Sequence, residues 1–176
     1  MRKILIVFSV ITVLISLAGE DKKLFAAEPS SEIGKQVPDF KLKDINGRDT
    51  AFYSYKGKVI LLNFWATWCG PCKAEMPSLN NLYKSLRDKG FVVVGISVDT
   101  SEKPVRTFIN DNGITFPALM DSDREVSFDL FGVIGLPTSY LIDKNGVVVE
   151  KFMGEREWDS PSMKNKISKL LSGRQG

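Results

Sequence analysis

The chain of 176 residues is long enough for one domain with an N-terminal appendage, and at 43% hydrophobic and 26% charged it has the make-up of an ordinary globular protein. The formal charge of +3 falls to about +1 once the four basic and two acidic residues of positions 1–27 are set aside, which gives no reason to expect nucleic acid as a partner. The absence of histidine excludes Cys–His and Ser–His nucleophile pairs, and the two cysteines are too few to build a structural zinc site, so no metal is expected.

Arg2 and Lys3 precede an apolar run over residues 4–19, which Glu20-Asp21-Lys22-Lys23 closes. A basic start, an apolar stretch and a polar exit make the pattern of a secretory signal. The run of 16 residues is short for a membrane span, which needs about 20, and Phe25-Ala26-Ala27 is a weak cleavage site. Residues 1–27 are therefore expected as a signal peptide or an uncleaved membrane anchor, with the basic end inside and the domain exported. Glu20 stands where a lipoprotein signal would carry its cysteine, so lipid attachment is not supported. Residues 28–35, with Pro, Ser and charge, read as a linker to a domain spanning 36–176.

Residues 40–44 and 48–53 read as short strands around the Asn46-Gly47 turn signal. Residues 58–65 contain Val59-Ile60-Leu61-Leu62, a continuous apolar run suited to a strand buried on both faces. A helix is predicted over 71–89, closed by Gly90, and a second buried strand over 91–98. Further helices are expected over 103–112 and, on a weaker periodicity, over 123–131. Residues 139–143 and 147–152 form a hairpin over Lys144-Asn145-Gly146, and a helix over 159–171 follows. Strand, helix, strand, helix, then a hairpin and a final helix imply a mixed sheet covered on both faces, an α/β sandwich.

Trp68-Cys69-Gly70-Pro71-Cys72 falls at the junction of a buried strand and a helix. Cys69 then lies at the helix N-terminus, where free backbone N–H groups and the dipole favour a thiolate. Two intervening residues bring the sulfurs close enough for one to resolve a mixed disulfide formed by the other. Pro71 suits the first helical turn, where its missing N–H costs nothing. Cys69 is the expected nucleophile and Cys72, one turn further in, the resolving thiol. A purely structural bridge would close a very small loop and remove little unfolded-state entropy. Pro77 removes a hydrogen bond inside the helix and is expected to kink it.

Glu75, Leu79, Leu82 and Leu86 follow i, i+4, i+7, i+11, one face of a helix. Glu75 thus occupies the apolar stripe one turn beyond Cys72. Partial desolvation there would raise its pKa towards the range useful for proton transfer. When ionised it would also disfavour a nearby thiolate.

The segment from Asn63 to Lys73 resembles the active-site segment of thioredoxin-like proteins and, more narrowly, the ResA/TlpA branch of extracytoplasmic reductases. The likeness extends over Val37-Pro38-Asp39-Phe40, Asp44-Ile45-Asn46-Gly47, Glu75-Met76-Pro77 and Gly135-Leu136-Pro137-Thr138, covering about residues 34–172. It implies a thioredoxin-like three-layer sandwich with an extra N-terminal β-hairpin, and no dissociable cofactor. Where thioredoxins carry a buried aspartate, this chain has Asn63, and Glu75 is expected to supply the acid. The resemblance implies a cis bond at Leu136–Pro137, with Leu136 pairing its backbone to an extended substrate. Trp68, Gly70, Pro71, Leu136 and Pro137 are the expected substrate-contacting residues around the Cys69–Cys72 redox disulfide.

The implied activity is dithiol–disulfide exchange with protein substrates by a monomeric extracytoplasmic oxidoreductase. Gly-Pro between the cysteines resembles the reducing thioredoxins, and that resemblance implies reduction rather than oxidation. Resemblance further implies reduction of apocytochrome c haem-binding cysteines, with a membrane thiol transporter as electron donor. A general reductase or a disulfide donor is the nearest alternative. A peroxiredoxin would need a Pro-x-x-x-Thr-x-x-Cys setting, which is absent, and a non-catalytic binding module would have no use for both cysteines.

Overall fold

The computed structural model describes residues 33–173; the expected signal or anchor over 1–27 and the linker up to residue 32 lie outside them. The Asn46-Gly47 turn joins β1 (Lys41–Asp44) to β2 (Asp49–Ala51) as an antiparallel hairpin, with Gly47 at φ 81°. The second strand is shorter than the sequence pattern indicates because the chain bends into a 3₁₀ turn over Phe52–Tyr55. There Phe52 stacks on Phe40 with 4.9 Å between ring centroids, and the Tyr53 amide donates to Asp39 Oδ1 at 2.9 Å.

Both apolar runs form central strands. All seven residues of β3 (Val59–Trp65) are buried. A helix, α1 (Gly70–Leu86), crosses over to β4 (Phe91–Ser97), also buried throughout and parallel to β3. The helix passes unbroken through Pro77. Its final turn tightens to 3₁₀ over Arg87–Lys89, and left-handed Gly90 at φ 91° ends it. The next helix, α2 (Glu102–Asp111), leads to β5 (Ala118–Met120), a strand the sequence pattern does not reveal. It runs parallel to β4 and antiparallel to β1, joining the N-terminal hairpin to the sheet. Residues Glu125–Leu130 form a turn of π-helix within the segment expected to be α-helical. The hairpin of β6 (Thr138–Ile142) and β7 (Val148–Met153) follows, then α3 (Pro161–Leu171), whose N-cap Ser160 Oγ accepts from the Met163 amide at 3.4 Å.

The sheet order is β2-β1-β5-β4-β3-β6-β7. Alternation along β3 divides the core between two faces. Leu61 and Trp65 point into a cluster with Leu79 and Leu82 of α1, Val105 of α2 and Ile167 of α3. Ile60, Leu62 and Phe64 meet Val37, Phe52, Val126 and Phe131 on the other face. The three helices therefore share one layer, while the N-terminal segment and the π-helical turn cover the opposite side.

The antiparallel register of β3 and β6 pairs Ile60 with Ile142 at one end and Phe64 with Thr138 at the other. The chain enters at the first of these ends. Gly34 N donates to Val148 O at 2.8 Å, Val37 N to Gly146 O at 2.9 Å, and Gln36 bridges to Val147. Among the described residues, Gly34 already takes part in the hydrogen bonding of the domain.

Candidate active site

At the other end of β3 the chain leaves Trp65 and must turn sharply into α1. Thr67 holds this turn: its amide donates to Asp99 Oδ2 at 2.9 Å and its hydroxyl to Asp99 Oδ1 at 2.7 Å. Ser97 Oγ donates to the same carboxylate at 2.6 Å, tying the turn to the end of β4. Asp99 was not singled out in the sequence, since no local pattern links it to residue 67.

Cys69 is the N-cap of α1, with extended backbone, and its Sγ accepts from the Cys72 amide at 3.3 Å. Pro71 occupies the first helical turn, as its fixed φ allows. The two cysteines form a disulfide with Cα atoms 5.3 Å apart. Cys69 is 7% exposed and Cys72 fully buried, so an approaching sulfur reaches Cys69 first. Trp68 is 62% exposed, which removes it from the core, and it lines the same cleft as Cys69. Gly70 opens the helix, and a Cβ added there would meet nothing within 4 Å.

The expected cis peptide is present at Leu136–Pro137. Thr138 Oγ1 donates to Gly135 O at 2.7 Å, and Gly154 N donates to Pro137 O at 2.9 Å, fixing the segment on both sides. Leu136 and Cys69 line one cleft of about 400 Å³. Phe128 and Ile134 stand on the same cleft and are 60% and 84% exposed. Neither stands out in the sequence: Phe128 lies in the weakly periodic segment over 123–131, and Ile134 in the connection that leads to β6.

Glu75, Leu79, Leu82 and Leu86 are all buried, as their spacing implies. The Glu75 carboxylate accepts from three donors: Asn63 Nδ2 at 2.8 Å, Trp158 Nε1 at 2.9 Å and the Arg156 amide at 3.3 Å. Burial pushes its pKa above the usual carboxyl value; hydrogen bonds from Trp158, Asn63 and Arg156 oppose this shift without cancelling it. Asn63, at the position of the thioredoxin aspartate, also donates to Ser139 Oγ at 2.9 Å. Trp158 is anchored through its own amide to Ser78 Oγ at 3.1 Å, and its ring packs edge-on to Phe152. Trp158, Arg156 and Ser139 were invisible to sequence reasoning because each lies more than 60 residues from Glu75.

A disulfide at a helix N-terminus, one sulfur on a cleft and a buried carboxyl one turn further along, on this mixed sheet, define a thioredoxin-like thiol–disulfide oxidoreductase. The chain belongs to the AhpC/TSA family, whose model matches residues 33–151. It is 38% identical over 160 residues to the thiol-disulfide oxidoreductase ResA of Bacillus thuringiensis (strain Al Hakam), covering 89% of this chain and 92% of that one. ResA of Bacillus subtilis (strain 168) is 37% identical over 155 residues, with 87% and 86% covered. A thiol:disulfide interchange protein from Bacteroides sp. superposes with a TM-score of 0.71 at 26% identity, over 83% of this chain and 94% of the other.

Proposed function

We propose that this oxidoreductase is a reductant of protein disulfides outside the cytoplasmic membrane, with apocytochrome c haem-binding cysteines as its substrates. In the reduced protein the Cys69 thiolate attacks one sulfur of the substrate disulfide. A mixed disulfide forms and the substrate's other sulfur leaves as thiolate. Cys72 then attacks Cys69 Sγ; its proton passes to Glu75, and the substrate's second sulfur leaves as thiolate while Cys69–Cys72 is oxidised, both substrate thiolates taking their protons from water. The α1 N-terminus stabilises the attacking thiolate. Trp68, with Gly70 and Pro71, offers contact surface around the sulfur, and the Leu136 backbone before Pro137 is the edge for an extended substrate segment.

The observation that carries this reading is the placement of Cys69 alone on the cleft, with Cys72 and Glu75 buried behind it. Gly-Pro between the cysteines supports the reducing direction. The basic, apolar and polar succession of residues 1–27 supports export, as a cleaved signal or an anchor, in a domain organisation of 1–27, 28–35 and 36–176. A reductant in an oxidising compartment draws electrons across the membrane, and a membrane thiol transporter is the class of donor required.

The test is the reduction potential of the Cys69–Cys72 pair, combined with trapping of apocytochrome c on a Cys72→Ala variant. A potential near thioredoxin's, about −270 mV, and a covalent adduct through Cys69 are the expected results. A potential near DsbA's, about −120 mV, would overturn the direction. Absence of an adduct would overturn the substrate.

A further inference from the structure

Arg124 is the single positively charged side chain among the described residues lining the cleft beside Cys69. It is also the only non-glycine among them with a positive φ, at φ 65° and ψ 19°. An L side chain is disfavoured there, and such a residue persists only where its surroundings hold it. Here they do. Buried Asp121 accepts from the amides of Val126 at 3.1 Å and Ser127 at 2.6 Å, fixing the π-helical turn. The Arg124 amide donates to Asp121 O at 3.1 Å, and Arg124 O accepts from Phe128 N at 2.8 Å. The turn demands a left-handed residue at this position, and glycine would meet that demand without strain.

The guanidinium has no hydrogen bond or ion pair with any described residue. Asp123 and Glu125 flank it in sequence, yet neither pairs with it or lines the cleft, and the Asp123 carboxylate accepts from the Glu125 amide at 3.5 Å instead. The cleft around it is lined mainly by apolar residues, with Trp68, Phe128 and Ile134 all exposed. A cation on an apolar wall interacts more strongly with an incoming anion than one in open water, and a guanidinium matches a carboxylate in two-pronged geometry.

We propose that Arg124 is a specificity residue that binds a carboxylate of the molecule presented to Cys69, namely an acidic side chain flanking the cystine of a polypeptide substrate. The inference rests on the protein-disulfide reading above. The carboxylates of a small disulfide such as glutathione disulfide offer the same chemistry.

The experiment measures kcat/KM for three peptide disulfides that differ only in one residue beside the cystine (Glu, Ala or Lys), and for glutathione disulfide. It uses the wild-type protein, Arg124→Gly and Arg124→Lys. In the wild type the Glu peptide should exceed the Ala peptide by about three- to tenfold, the Lys peptide falling below both, with the preference fading in high salt. Arg124→Gly should bring the Glu-to-Ala ratio close to one while raising the unfolding midpoint, and Arg124→Lys should keep part of the preference. A merely structural arginine would alter stability and leave the ratio unchanged, which would overturn the proposal. So would loss of glutathione disulfide turnover in Arg124→Gly with no peptide preference in the wild type, which would assign the site to a small thiol. Failure of the wild type to reduce any of the peptides would instead refute the protein-disulfide reading itself.

Discussion

Asn63 donates one amide hydrogen to Glu75 Oε1 at 2.8 Å and the other to Ser139 Oγ at 2.9 Å, so that one side chain joins α1 to the two neighbouring strands β3 and β6. All three residues are buried. The indole of Trp158 and the amide of Arg156 can only donate, whereas Asn63 is the one neighbour that carries both donor and acceptor atoms. Its Oδ1 has no partner among the described residues.

Replacing Asn63 by Leu removes a donor from a desolvated carboxylate. The Glu75 pKa should rise further, because that hydrogen bond acts to lower it. Stability should fall by about 1–3 kcal/mol, the cost of leaving buried polar partners unsatisfied. Carboxyl titration by NMR and urea unfolding read the two effects; a Glu75 midpoint that does not move would refute the coupling.

Glu75→Gln keeps the shape of the side chain and removes its capacity to take a proton. Resolution of the mixed disulfide should slow by on the order of 10²-fold, the usual worth of a positioned general base. Rapid-quench kinetics should show the mixed disulfide accumulating, and the dithiol should titrate without the influence of a neighbouring carboxylate. An unchanged rate and an unchanged thiol titration together would leave Glu75 as a structural residue.

The same variant separates out a pH effect on folding. A carboxyl whose pKa is raised in the folded state binds its proton more tightly there than in the unfolded chain. Its contribution to stability is therefore complete below the unfolded pKa and is lost as pH rises through the folded value. The unfolding free energy of the wild type should decline relative to Glu75→Gln as pH rises from about 4 upwards. Parallel pH profiles for the two proteins would contradict the raised pKa.

Gly95 on β4 sits where a Cβ would meet the Phe116 ring at 3.0 Å and Trp65 Nε1 at 3.2 Å. Trp65 is fully buried against Phe108, with ring centroids 5.4 Å apart, so neither ring has free space to yield. Gly95→Ala should cost about 1–3 kcal/mol through overpacking. Thermal unfolding measures it, and a loss below about 0.5 kcal/mol, the scale of an ordinary surface change, would mean that the rings move aside.

The parts of the molecule that could be read in the sequence are those whose cause is local. A continuous apolar run such as Val59-Ile60-Leu61-Leu62 must be buried on both faces. Cysteines three positions apart at a strand–helix junction fall at a helix N-terminus, and the stripe holding Glu75 follows from helical spacing. The parts that escaped depend on partners that leave no trace in the apolar pattern. Ala118–Met120 is too short for any periodicity and is a strand only because β4 and β1 flank it. The turn at Glu125–Leu130 takes its form from the Asp121 carboxylate and from the left-handed Arg124, neither of which alters the apolar pattern. The surroundings of Glu75 are assembled by residues that the sheet brings together from three separate segments.

The pairing of residues 34–37 with the β6–β7 turn has an orientational result. It lies at the Ile60–Ile142 end of the sheet, while the disulfide lies beyond the Phe64–Thr138 end. The strand between them spans about 20 Å at the usual rise per residue. A domain held by the residues ahead of Ile33 would carry its sulfurs on the pole turned away from the point of attachment. A tethered copy could then meet its substrates face-on while its base stays near the surface that holds it.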